Sequence, residues 1–181
     1  NNGDSTITFN LFVNEPSQTL SRPSGIIPGI NYDLSDDTKV TLCLMAPDKQ
    51  LAYVLSEINN FQVDENYKMY KDGDYFWLEL TGLTPGKEYA YQYFVDGHYV
   101  ADPFADKILD PDDQWIPESI YPNLKPYPVA AQRNTWFYNR VSIFQTGQPE
   151  FNWQHLDYNR PKKEDLVVYD LLIRDFFAPD D

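Results

Sequence analysis

Up to residue 110, hydrophobic and polar positions alternate in short bursts broken by turn-forming residues, and they never recur at helical spacing. Ser5 to Val13, STITFNLFV, is β-branched and aromatic and reads as a strand, whereas the following stretch to residue 37 is crowded with Pro, Gly, Ser and Asp and reads as an extended loop. Lys39 to Ala46 and Leu51 to Leu55 are apolar runs flanking Pro47-Asp48-Lys49-Gln50, which predicts a hairpin. Tyr67 to Tyr70 and Tyr75 to Leu80 flank Lys71-Asp72-Gly73-Asp74, a second hairpin whose Asp-Gly pair supplies a positive φ. Glu88 to Val95 alternates strongly, turns at Asp96-Gly97 and returns through His98 to Ala101. Five or more closely spaced strands predict an all-β antiparallel sandwich over residues 1–110.

The texture then changes. Pro103, Pro111, Pro117, Pro122, Pro126 and Pro128 fall within 26 positions, a density that no central strand or regular helix tolerates. Residues 111–163 are therefore expected to be irregular, but Trp115, Tyr121, Tyr127, Trp136, Phe144 and Trp153 are too costly to leave in water. The segment is expected to pack, either on the sandwich or on a further domain. Residues 164–181 open with Leu166 to Ile173, LVVYDLLI, a nearly continuous apolar run that suits a strand covered on both faces in a parallel sheet.

Within the sandwich, Phe76, Leu78 and Leu80 form the expected core face, leaving Tyr75, Trp77 and Glu79 on the other. Tyr75 and Trp77 are thus candidates for a solvent-facing or interdomain aromatic platform, since aromatic rings stack on the apolar faces of sugars; packing is the commoner role for such rings. Tyr89, Tyr91 and Tyr93 are expected to point inward. Cys43, the only cysteine, sits in VTLCLMAP and reads as a small buried hydrophobe.

Charge narrows the partners. Across 181 residues, 14 Lys plus Arg stand against 28 Asp plus Glu, a formal charge of -14 that repels nucleic acid and anionic membranes. A neutral ligand meets no such field. No apolar run is long enough to span a bilayer. Asp106, Asp110, Asp112 and Asp113 cluster oxygens that calcium could use, but their spacing matches no loop with defined ligand positions, so a solvated acidic loop is expected. His98 and His155 stand far apart without neighbouring cysteines, which gives zinc little support, and no cofactor motif is present.

Three stretches, taken in order, resemble the front end of α-amylase-family glycoside hydrolases, the group that includes branching enzymes, debranching enzymes and pullulanases. FWLELTGLTPGKEYAYQYFVDG, ending at Gly97, resembles their N-terminal immunoglobulin-like modules, and VADPFADKILD, from Val100, resembles the exit from that module. LVVYDLLIRDF, from Leu166 to Phe176, resembles the first strand of the (β/α)8 catalytic barrel, with Asp170 where the family more often has Glu. In LSEINNF, Phe61 stands where starch-binding relatives carry a sugar-stacking tryptophan, which makes it a third candidate carbohydrate contact.

The resemblance implies an immunoglobulin-like sandwich, a linker and one orphan strand of a barrel cut off at Asp181. It also implies an accessory role beside that barrel in an exported enzyme acting on starch, glycogen or related α-glucans. Independent α-glucan binding and a non-enzymatic interaction domain are the alternatives; the barrel-strand motif speaks against the latter. Glycoside hydrolysis needs two facing carboxyl groups, and in this family they lie on later strands, so no residue of this chain is expected to be catalytic. Asp170 and Asp175 read as ordinary strand-end acids.

Overall fold

A computed structural model describes residues 15–133, 139–149, 152–154, 157 and 159–170. The chain divides into two compact units, Asn1–Gln148 and Pro149–Asp181. The first is a sandwich of two antiparallel sheets. One contains β1 (Gly29–Tyr32), β2 (Val40–Met45), β4 (Tyr70–Asp72) and β5 (Tyr75–Leu80) in the order β1-β2-β5-β4. The other contains β3 (Ala52–Ser56), β6 (Glu88–Val95), β8 (Lys107–Leu109) and β9 (Val141–Gln145) in the order β3-β6-β9-β8, with β7 (His98–Val100) paired to β6. The strand expected at Ser5 to Val13 lies outside the described residues.

Two expected hairpins are present, and their turns explain them. β4 and β5 meet at the pair Asp72 and Tyr75, leaving Gly73-Asp74 as the loop, with Gly73 at φ 59°. β6 and β7 meet at Val95 and His98; Asp96 (φ 44°) and Gly97 (φ 89°) both take the left-handed conformation that a two-residue type I′ loop requires. The Asp96 carboxylate also accepts the amides of Gln50 and Leu51, tying this turn to the start of β3. The third expected hairpin is overturned. β2 pairs with β1 and β5, whereas β3 pairs with β6, so Pro47-Asp48 carries the chain from one sheet to the other. Both strands are buried on two faces, and a turn between two such runs fits a sheet-to-sheet crossing as well as a hairpin.

The core lies between the sheets. Val40, Leu42 and Leu44 of β2 and Phe76, Leu78 and Leu80 of β5 meet Ala52 and Val54 of β3, Tyr89, Tyr91, Tyr93 and Val95 of β6, and Phe144 of β9. The expected core face of β5 and the inward tyrosines of β6 are thus as read. Tyr89 stacks on Phe144 with centroids 5.3 Å apart, and Tyr91 meets Tyr93 edge-on at 5.6 Å. Each fully buried large side chain contributes about 1.5–3 kcal/mol relative to exposure. Cys43 is fully buried, on the face of β2 opposite that core.

A second cluster covers the outer face of the β3-β6-β9-β8 sheet. Tyr53, Leu55, Phe61, Ala90, Leu109, Val141 and Ile143 are closed over by Ala131, with Leu124, Tyr127 and Ala130 packed against them. The proline-rich segment after β8 supplies that cover, and its continuation returns as β9 between β6 and β8. Part of the stretch expected to be irregular therefore belongs to the sheet, and the compact unit runs to Gln148.

In the second unit, Lys163–Asp165 forms a single 3₁₀ turn. Residues 166–170 of the expected barrel strand have no strand partner among the described residues, and Leu166, Val167, Val168 and Tyr169 are exposed. The remainder, to Ile173, lies outside the described residues, as does Asp175. No helix among the described residues is long and apolar enough to cross a membrane.

Candidate functional site

The two motif stretches of the sandwich are joined by one buried carboxylate. Asp102, in Ala-Asp-Pro-Phe-Ala, is 3% exposed; its Oδ2 accepts the hydroxyls of Tyr91 at 2.7 Å and Tyr93 at 2.9 Å. Its Oδ1 accepts the Phe104 amide at 2.9 Å, and its own amide donates to Ser142 Oγ of β9 at 2.7 Å. Burial and the adjacent carboxylate push both phenols up, so they remain neutral donors. Phe104 in turn seats on β1: Gly29 has φ 103°, and a Cβ there would lie 2.7 Å from Phe104 Cβ. The Leu-Thr-Pro-Gly turn before β6 is anchored similarly, with the Gly86 amide donating to the Thr146 carbonyl at 2.7 Å and the Thr84 amide to Tyr89 Oη at 2.9 Å.

The three aromatic candidates are not brought together on a free surface. Trp77 is 8% exposed because the segment before β1, expected to be loop, runs along β4 and covers it. The Leu20 amide donates to the Lys71 carbonyl at 3.0 Å and the Lys71 amide to the Gln18 carbonyl at 2.9 Å, Trp77 Nε1 donates to the Leu20 carbonyl at 2.9 Å, and Tyr70 flanks the indole at 5.2 Å. Tyr75 is half-buried, with the Arg22 guanidinium 3.8 Å from its ring centroid and Arg22 also paired to Asp72. Phe61 is 2% exposed in the second cluster, held at φ 54°, and its carbonyl accepts Arg133 Nη2 at 3.2 Å. A ring must offer an open face to stack on a sugar, and Phe61 and Trp77 offer none; both serve packing.

The acidic loop is committed to local structure. Asp110 caps the turn Pro111–Trp115, accepting the Asp112 amide at 3.1 Å, while Asp113 accepts the Asp110 amide at 2.9 Å. Asp110 Oδ2 also pairs with Arg140 at 3.2 Å. Among the described residues, no group of three or more acidic, histidine or cysteine side chains could hold a metal ion.

A concavity instead lies within the segment 111–132, beside the acidic loop. It is a cleft of about 620 Å³ running from the turn Pro111–Trp115 to Gln132. Gln114, Glu118, Tyr121, Asn123, Tyr127 and Gln132 line it. The segment is fixed to the sandwich: Lys125 pairs with Glu57 at 3.1 Å, and Arg133 donates to the carbonyls of Ala130 and Phe61 while lying 4.4 Å from the Tyr99 centroid. Tyr121 is 47% exposed and is approached at 5.4 Å by the Lys107 ammonium, which also binds Glu88 at 2.8 Å. Tyr127 buries its hydroxyl, and burial pushes that phenol up to about 12. The signal that could have marked this place was the run of tyrosines and carboxamides among prolines, read only as packing material.

Two antiparallel sheets with a shared core define the class of the first unit as a β-sandwich. No protein-family model and no curated protein matches the chain. Among solved structures it is similar to a product complex of the multi-modular glycogen-degrading pneumococcal virulence factor SpuA, at 20% identity and TM-score 0.37, over 51% of this chain and 11% of that one. It is also similar to apo pullulanase from Paenibacillus barengoltzii (21% identity, TM-score 0.34, 49% of this chain and 14% of that chain). A pullulanase from Bacillus acidopullulyticus is similar at 22% identity and TM-score 0.33, over 46% of this chain and 10% of that one. The chain thus spans well under two thirds of these proteins, and likeness at this level carries no argument by itself.

Proposed function

We propose that this chain is an accessory β-sandwich module of an exported α-glucan-acting glycoside hydrolase, packing beside the catalytic barrel of the same polypeptide and doing no chemistry itself. The observation that carries the reading is the Asp102 lock. The two stretches resembling that family's module and its exit are the ones closed on each other by Tyr91, Tyr93 and Asp102, which fixes the direction in which the chain leaves the sandwich. The apolar run Leu166 to Tyr169, exposed here, supports the reading from its other end, since such a run is stable when a sheet covers both its faces. Trp115, Ile120 and Val129, all exposed on the segment after β8, offer apolar area for a neighbouring domain.

The test is to assay reducing-end release from pullulan, glycogen and amylopectin by the polypeptide that continues past Asp181, with and without residues 1–148. Activity in the long form and none in the 181-residue chain is the expected result, with deletion of the module lowering thermal stability. A long form inactive on every α-glucan would overturn the assignment.

A further inference from the structure

We propose that the cleft formed by residues 111–132 binds a neutral oligosaccharide. Its volume of about 620 Å³ falls inside the ~300–1,000 Å³ range of small-molecule sites. Tyr121, 47% exposed, supplies an aromatic ring at the cleft, and Gln114, Asn123 and Gln132 are exposed carboxamides that both donate and accept, the pairing that hydroxyl-rich ligands need. Charge selects against anionic ligands. Lys125 is paired to Glu57, so its ammonium is already neutralised, and Glu118 within a chain of charge -14 disfavours anions. Asp113 accepts the Asp110 amide and so is held against its own turn, while tetralysine in the test below reads whether the remaining negative charge draws a cation instead.

The platform is also held in advance. Lys107 sits at one side of Tyr121, Tyr127 forms a wall with its hydroxyl buried, and Asn123 is fixed at φ 59°, a conformation that asparagine tolerates. A side chain positioned before binding loses little entropy on contact. Tyr121 and Asn123 belong to neither hydrophobic cluster, so both can be replaced without opening the core.

Choosing an α-glucan as the first probe rests on the function proposed above; the cleft itself calls only for a neutral sugar chain. The 181-residue protein is titrated calorimetrically with maltoheptaose, cellohexaose and xylohexaose, with tetralysine as a charged control. Tyr121→Ala and Asn123→Gly variants run alongside; glycine accepts the positive φ while removing the carboxamide. Binding of maltoheptaose, weakened about tenfold or more by Tyr121→Ala and several-fold by Asn123→Gly with thermal midpoints unchanged, is the expected result. Equivalent binding of cellohexaose or xylohexaose alone, lost in the same variants, upholds the cleft and counts against the α-glucan reading. Maltoheptaose binding unchanged by both variants overturns the cleft and leaves that reading standing. Binding of no oligosaccharide, or of tetralysine only, overturns the cleft.

Discussion

Replacing Asp102 with alanine tests whether a single carboxylate closes the sandwich. In the folded protein this side chain satisfies two buried phenol hydroxyls and the partly buried Phe104 amide. Without it, all three donors lose that acceptor, at about 1–3 kcal/mol for each one left unpaired. Allowing for relaxation and water entry, a loss of roughly 3–6 kcal/mol is expected, against a total of about 5–15 kcal/mol for a domain of ordinary stability. Urea unfolding followed by tryptophan fluorescence measures it. The decisive control is a cycle: in a Tyr91→Phe/Tyr93→Phe background two of the stranded donors are gone, so Asp102→Ala should cost about 2 kcal/mol less than in the wild type. A single-variant loss below about 1 kcal/mol, or strict additivity around the cycle, would refute the lock.

Other contacts of the sandwich set three further outcomes. Trp77→Ala should destabilise by about 3–5 kcal/mol in the same urea assay, because it empties a covered site; loss of sugar binding with stability intact would restore its role as a platform. Gly29→Ala should cost at least about 2 kcal/mol, combining a positive φ with the Phe104 clash, and a thermal midpoint within a degree of the wild type would contradict the packing of β1 on Phe104. The phenols of Tyr53, Tyr91, Tyr93 and Tyr127 are raised by burial in the folded state, while the unfolded chain ionises near pH 10. Their contribution is therefore whole below pH 10 and lost as pH climbs toward the folded values. Stability should fall above pH 10, with these tyrosines titrating at 295 nm only as the protein unfolds; smooth titration in the folded state would contradict their burial.

Turn chemistry and alternation made much of the sandwich legible from residues alone. Asp96-Gly97 and Asp72-Gly73 specify positive φ, and so they located two hairpins. Pro47-Asp48 specifies only a reversal, and the partner of β2 is chosen by packing across some thirty residues, which local pattern does not encode. The cover over Trp77 was illegible for a related reason: it is a polar, proline-flanked stretch whose Leu20 carbonyl accepts the indole N–H. β9 was hidden because VSIFQ is short and follows a proline-dense run. Asp102 left a faint trace, since inward-facing Tyr91 and Tyr93 each needed a partner for a hydroxyl, but nothing local named it. The cleft left no periodic signal, because its residues belong to no strand.

The position of β9 has a consequence for how the protein can be made. Both its neighbours in the sheet, β6 and β8, are synthesised before it, and between β8 and β9 comes the whole proline-rich stretch. Until Val141–Gln145 emerges from the ribosome, the backbone of β6 from Glu88 to Tyr91 presents an open hydrogen-bonding edge flanked by Tyr89 and Ala90. Such an edge invites pairing with another chain. A shortened protein ending near residue 110 keeps that edge permanently and should self-associate, whereas one ending at Gln148 closes it with its own strand.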